Sequence, residues 1–245
     1  LSGLCPAPLV PGTVVERLVS PARSVSLSFS GSGFMMAFHA GVLEAFAQRS
    51  ASLHIGHVAG ASGGALVAGA HVCGVQPLQM MQHVAEAAER CRSVGRAALP
   101  AVLHELICRV VPSDLRAADI TKLRVSVTCL WPFERMLVDT FESSDDLIAA
   151  LETSCHIPVY MGAMSRPFRG RRFFVDGGLG AVAPPLPEAG GHAVMVLSFP
   201  VQWLPRALLP SHVLSNLDNV ICPSPASACA AFVTRSSFMH SALVP

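Results

Sequence analysis

The apolar positions along the chain change period several times, and each change predicts an element. Ser24 to Ser30 (Ser-Val-Ser-Leu-Ser-Phe-Ser) alternates apolar and polar with a period of two, which predicts a strand. Gly31-Ser32-Gly33 interrupts it. Phe34 to Gln48 then runs apolar almost all round, as a mostly buried helix would. The short apolar run Ile55 to Ala59 predicts a buried strand that breaks at Gly60, and the Ala/Gly/Val-rich segment from about Gly64 to Cys73 predicts the next helix. Strand, glycine turn and helix therefore occur twice in succession.

Pro77 suits the first turn of a further helix, with Leu78, Met81, Val84, Ala88 and Cys91 at helical spacing. Ala101 to Val110 continues helical until Pro112 breaks it. Leu123 to Leu130 alternates again, and Met136 to Phe141 is the expected antiparallel neighbour. Ser143 or Ser144 caps a helix to about Cys155, with Asp145 and Asp146 suited to its positive end. Arg171 to Val175 predicts a short strand closing on Asp176-Gly177-Gly178, and Ala193 to Phe199 the last clear strand. Beyond Pro200 the chain turns Pro- and Ser-rich, with weak helical pattern near 207–218 and 225–235. Strands alternating with helices over 24–199 predict an α/β fold, a three-layer sandwich with a largely parallel central sheet. In such sheets ligands gather beyond the carboxyl ends of strands, where Gly31, Ser62 and Asp176 all fall.

Composition sharpens this reading. Only 13% of the 245 residues are charged while 51% are hydrophobic, and the mean hydropathy of +0.50 implies an apolar surface suited to lipid. A net charge of +1 gives no electrostatic case for nucleic acid. Ser50 to Ala85 holds no Asp, Glu, Lys or Arg, which is long enough to span a bilayer. Its four histidines, its glycines and Pro77 favour a buried strand and helix instead. The eight cysteines are scattered without a Cys-x-x-Cys pair, which fits buried free thiols in a reducing compartment. No signal-peptide pattern opens the chain, and Leu1 in place of Met reads as a fragment or an excised domain.

The candidate chemistry starts at Ser62, in the frame Gly60-Ala61-Ser62-Gly63-Gly64 at a strand-to-helix turn. A serine there is strained, with its hydroxyl pushed out above the strand. Small neighbours let backbone pass close by, and the helix N-terminus faces any anion formed there. Plain tight helix packing explains the same glycines equally well. Gly31-Ser32-Gly33 fails as a dinucleotide loop, because Met36 stands where a third glycine is needed and no acid closes the second strand. It leaves a turn whose N–H groups suit an oxyanion, or simply a tight turn. Gly41 is expected to bring its helix close to the sheet. Asp176, followed by two glycines, is free to approach another loop or to serve an ordinary Asp-Gly turn. His192, His212 and His240 follow it, so a Ser-Asp-His triad is formally open.

Ser30-Gly31-Ser32-Gly33-Phe34 with His39-Ala40-Gly41-Val42, Gly60-Ala61-Ser62-Gly63-Gly64 and Asp176-Gly177-Gly178 resemble the motifs of patatin-like acyl hydrolases. The likeness covers roughly 24–225 and is closest to the animal branch containing adipose triglyceride lipase and adiponutrin. Thr153-Ser154-Cys155-His156-Ile157-Pro158 and Ile221-Cys222-Pro223 are similar to segments of that branch. The resemblance implies a patatin-like catalytic domain over 23–200, after an irregular lead-in at 1–22, with 201–245 as its extension. It implies Ser62 as nucleophile and Asp176 as general base, with the N–H groups of Gly31, Ser32 and Gly33 around the oxyanion. Gly60, Gly63, Gly64, Gly177 and Gly178 support the motifs. No cofactor or metal enters such a reaction. The implied substrate is a glycerolipid or phospholipid ester, met by a cytoplasmic protein at a membrane or lipid-droplet surface, with an activating protein left open. Many relatives carry Arg or Lys in the glycine loop, whereas Phe34-Met35-Met36-Ala37 holds no charge, with Met36 where glycine is often seen. A catalytically impaired lipid-surface binder is therefore the second reading. Arg166, Arg169, Arg171 and Arg172 precede Asp176, suited either to anionic headgroups or to a solvated loop.

Overall fold

The computed structural model describes residues 24–49, 54–115, 120–186, 192–203 and 220–224. Eight strands form one sheet: β1 (Ser24–Phe29), β2 (His54–Ala61), β3 (Leu123–Leu130), β4 (Phe133–Val138), β5 (Arg166–Phe168), β6 (Arg171–Val175), β7 (His192–Val196) and β8 (Val220–Ile221). Among the described residues six α-helices accompany them: α1 (Met36–Arg49), α2 (Gly63–Val72), α3 (Pro77–Val94), α4 (Leu99–Val110), α5 (Ser144–Ser154) and the single turn α6 (Gly177–Gly180). The order across the sheet is β5-β6-β3-β2-β1-β7-β8, with β4 also paired to β3. The β3-β2-β1-β7-β8 run is parallel, while β4, β5 and β6 pair antiparallel. The expected α/β class and largely parallel sheet are thus observed.

Alternation along the strands sorts the two faces. Val25, Leu27 and Phe29 of β1, Leu123, Val125, Val127 and Cys129 of β3, and Val194 and Val196 of β7 enter one core with apolar residues of α1 to α5. The intervening Ser26, Ser28, Ser126 and Thr128 face the other way and are still buried. There α6 and the chain after it cover them, and Ser28 Oγ donates to Pro184 O at 2.5 Å. A second, smaller core around Met195, Leu197, Val201 and Val220 closes that side near β7 and β8.

Several boundaries move from the sequence reading. A 3₁₀ turn, Gly33–Met35, precedes α1, and β2 continues through Gly60 to Ala61, so Ser62 follows the strand directly. β4 begins and ends three residues before the expected Met136 to Phe141. In α3 the buried stripe is Met80, Val84, Ala87 and Cys91, whereas Leu78 is exposed. Gly41 gives no close approach, since an added Cβ meets nothing within 4 Å; in α2 an added Cβ at Gly69 meets Leu151 of α5 at 3.3 Å, and those at Gly63 and Gly64 come closer still to neighbouring backbone. Strand β8 draws the chain beyond 200 into the sheet. The lead-in at 1–22 and the weak helical patterns at 207–218 and 225–235 lie outside the described residues. Among the described residues no helix is long and apolar enough to cross a membrane.

Candidate active site

β2 ends at Ala61, paired with Ser126, while β6 runs the opposite way and ends at Val175, paired with Thr128. Val125 and Ser126 pair with both β2 and β4, and Thr128 and Cys129 with both β6 and β4. β2 and β6 therefore share one edge of β3 and meet there end to end. The residue after each, Ser62 and Asp176, falls in the gap between them. Two positions 114 apart in sequence are brought together by strand pairing alone.

Ser62 has φ 54° and ψ −128°, a region that non-glycine residues rarely adopt. Such strain persists only where the surroundings over-determine it. Ser62 N–H donates to Ser154 Oγ at 2.9 Å, and the Ser62 carbonyl accepts from Ala65 N–H at 2.8 Å in the first turn of α2. An added Cβ at Gly63 lies 2.6 Å from both Gly33 O and Ser32 Oγ, and one at Gly64 lies 2.6 Å from Phe29 O. One at Gly60 would run into the Gly64 backbone. These glycines let the elbow, the β1 end and the glycine loop pack backbone to backbone.

Asp176 caps α6: its Oδ1 accepts from Gly178 N–H at 2.7 Å, and its own N–H donates to His156 O at 2.8 Å. Asp176 O accepts from Thr128 Oγ1 at 3.0 Å. Gly177 sits where an added Cβ would strike the Ser126 carbonyl. Burial raises the Asp176 carboxyl from its usual 3.8 to about 6, against the opposing pull of the Ser62 hydroxyl and the Gly178 N–H. The Ser62 hydroxyl is thus near enough to favour the charged form, yet Asp176 Oδ2 completes no hydrogen bond. Catalytic hydrogen bonds are commonly long before substrate is bound. The Cys155 thiol lies beside both groups; burial first and the Asp176 charge second push it well above the usual thiol range, so it stays protonated.

The glycine loop completes the cluster. An added Cβ at Gly31 would lie 3.6 Å from Gly178 Cα and 3.7 Å from Ser62 Cβ, so all three motifs meet. Gly31 N–H itself donates to Val182 O at 3.1 Å, which occupies one of the three expected oxyanion donors. Ser32 and Gly33 open the 3₁₀ turn, where N–H groups have no preceding carbonyl in register. Met36 lies in the core, outside this loop. His39 is fully buried; its Nε2–H donates to Ser30 O at 3.0 Å, and burial lowers its pKa to about 4, so it anchors the loop as a neutral ring.

Of the three triad histidines only His192 falls among the described residues, and it stands away from this cluster. His192 opens β7 opposite Val25, at the end of β1 remote from Gly31, while His212 and His240 lie outside the described residues. Three of the four arginines are held by carboxylates of the chain: Arg166 by Glu152 at 2.9 Å, Arg169 by Asp146 at 2.6 Å and Arg171 by Glu134 at 2.8 Å. No sequence motif singles out Ser126 and Thr128. They occupy the polar phase of an alternating strand, a pattern normally read as a solvent face.

Residues 27–188 match the patatin-like phospholipase family. The chain belongs to that family. The human omega-hydroxyceramide transacylase is 33% identical over 67% of this chain and 32% of its own length. The human 1-acylglycerol-3-phosphate O-acyltransferase PNPLA3 is 34% identical over 66% of this chain and 35% of its own. Human patatin-like phospholipase domain-containing protein 4 is 30% identical over 72% of each chain. The chain thus spans about a third of the length of the first two. The crystal structure of VipD from Legionella pneumophila overlays with a TM-score of 0.47 and 14% identity, covering 73% of this chain and 50% of that one.

Proposed function

We propose that this patatin-like chain is a serine acyl hydrolase that cleaves acyl esters of glycerolipids through Ser62 and Asp176. The observation that carries the reading is a strained serine meeting a buried, incompletely bonded carboxylate at the end of two strands. With its pKa near 6, Asp176 is ionised at neutral pH yet basic enough to take the hydroxyl proton as Ser62 attacks the ester carbonyl. The N–H groups of Ser32 and Gly33 face the developing oxyanion, at the N-terminal side of α1. The carbon–oxygen bond to the alcohol breaks, Asp176 returns the proton to the leaving oxygen, and an acyl-Ser62 ester is left. Water then repeats the sequence. The two relatives named as a transacylase and an acyltransferase make a lipid alcohol the natural competing acceptor.

A lipid-facing rim supports the substrate class. Leu130 and Phe133 pair across the β3–β4 turn, with Trp131 between them at 79% exposed. Leu179 of α6, three residues from Asp176, is 62% exposed, and Phe173 of β6 is also open. Apolar side chains this exposed beside a site suit contact with a lipid aggregate at a membrane or droplet surface.

The test is covalent labelling of Ser62 by a fluorophosphonate, read beside hydrolysis of a p-nitrophenyl ester. Both are expected to vanish in Ser62→Ala and to fall at least about 1,000-fold in Asp176→Asn. Full activity in Asp176→Asn overturns the dyad. The occupied Gly31 N–H favours one rival, an impaired binder; no labelling of the unaltered chain together with intact vesicle binding would select it.

A further inference from the structure

The parallel ladder of β2 on β3 stops at the Ala61–Ser126 pair, one residue before the nucleophile. Beyond it, a side chain stands between the two strands. Ser62 N–H donates to Ser154 Oγ at 2.9 Å, and Ser154 Oγ–H donates to Ser126 O at 2.7 Å. Ser154 is the last residue of α5 and is fully buried. Its hydroxyl therefore accepts from the nucleophile and donates to the strand, and both duties are met in a place water does not reach. The next hydroxyls along β3 hold the other partner. Thr128 Oγ1 donates to Asp176 O at 3.0 Å, and Ser126 Oγ reaches Gly177 O at 3.4 Å.

We propose that Ser154 is a positioning residue for the reaction: its hydroxyl bridges the Ser62 main chain to β3, and with Thr128 holding the Asp176 main chain to the same strand it sets the gap across which the proton moves. The inference rests on the Ser62–Asp176 reading and adds residues that touch no substrate. The bridge explains how Ser62 leaves the sheet. A direct ladder bond would keep Ser62 extended, whereas an interposed hydroxyl keeps its N–H satisfied at φ 54°. Ser154 also begins the Ser154-Cys155-His156 run whose last carbonyl accepts the Asp176 N–H at 2.8 Å, so one stretch of chain touches the backbone of both partners.

Removing the hydroxyl in Ser154→Ala leaves the Ser62 N–H and the Ser126 carbonyl buried without partners, and the nucleophile drifts. A displacement of about 1 Å lowers such a rate on the order of 100-fold. The experiment measures fluorophosphonate labelling of the purified full chain as two quantities, the fraction finally labelled and the rate constant. In Ser154→Ala the final fraction is expected to match the parent, while the rate constant falls roughly 10- to 100-fold. For the p-nitrophenyl ester, kcat falls in step and KM stays within about twofold, because no substrate contact is lost. Ser154→Thr, which keeps the hydroxyl, is expected to recover most of the rate. The rise of activity with pH keeps its midpoint, since Asp176 is untouched. A parent rate constant in Ser154→Ala, or a loss confined to the labelled fraction, overturns the proposal. Should Ser154→Ala fail to fold, Thr128→Val carries the test: it keeps the side-chain shape, and a parent rate in that variant overturns the shared brace. Labelling that survives in Ser62→Ala sinks the underlying dyad instead, an outcome independent of either hydroxyl.

Discussion

At Ser62 and Asp176 the backbone and the carboxyl are both held in states that folding alone would avoid. The Asp176 carboxyl keeps its proton to about pH 6 in the folded chain and releases it near 3.8 when exposed. Between these values the folded state binds more protons, so the contribution of this group to stability falls as pH rises from about 4 to about 6 and stays low above that. Two outcomes follow. Ester hydrolysis is expected to rise with pH through a midpoint near 6, as read in the pH profile of kcat/KM. Asp176→Asn, whatever its activity, is expected to be more stable than the parent at pH 8 by on the order of 2–3 kcal/mol and nearly equal to it at pH 4. Thermal melts at the two values check this, and equal destabilisation at both contradicts it. The glycines give a third test at this scale. In Gly63→Ala the new methyl meets Gly33 O and Ser32 Oγ at 2.6 Å, so the glycine loop must shift. Labelling is expected to slow by at least about tenfold, with a stability loss of about 1–3 kcal/mol.

Among the elements, α5 does most to connect stability with the site. Ser143 Oγ accepts from Asp146 N–H at 3.1 Å, and Asp146 Oδ2 accepts from Glu142 N–H at 3.2 Å, which closes the N-terminus reciprocally. Asp146 is further held by Arg169, whose hydrogen bond keeps the carboxyl below its usual range. Leu147, Ala150 and Leu151 bury the inner face, and the last turn delivers Ser154 to Ser62. Because the cap lies three turns from Ser154, its loss separates folding from function. Ser143→Ala is expected to cost about 1 kcal/mol in denaturant melts while leaving the labelling rate constant unchanged. A slowed rate would mean that α5 transmits disorder along its whole length.

For the whole molecule, exposed apolar groups collect beside the strand ends that carry the site. Phe133 and Leu179 stand out from the surface there, and neither belongs to the core. Phe133→Ser with Leu179→Ser is expected to reduce hydrolysis of an emulsified glycerolipid by about tenfold, from lost apolar burial at the lipid surface. Turnover of a soluble p-nitrophenyl ester should hold. Equal loss on both substrates would place these residues in the fold or the acyl site and not at a lipid surface.

The strands with strict alternation, the two strand-turn-helix units and the glycine-flanked serine were all legible in the sequence, because each depends on neighbours within a few residues. The same local logic marked Asp176 as a strand-end carboxylate with room around it. It misplaced the buried stripe of α3, since Leu78 satisfies the helical period while tertiary packing selects Met80 and Ala87. It also passed over Ser126 and Thr128, because a polar phase on a strand looks the same whether it faces water or a buried site. Only the tertiary structure decided that β2 and β6 meet end to end on β3, and hence which acid faces Ser62. Pairing between strands so distant in sequence is settled by the packing of the whole sheet. The same is true of the Gly31 N–H, which the local sequence leaves open to an oxyanion and the fold pairs with the Val182 carbonyl.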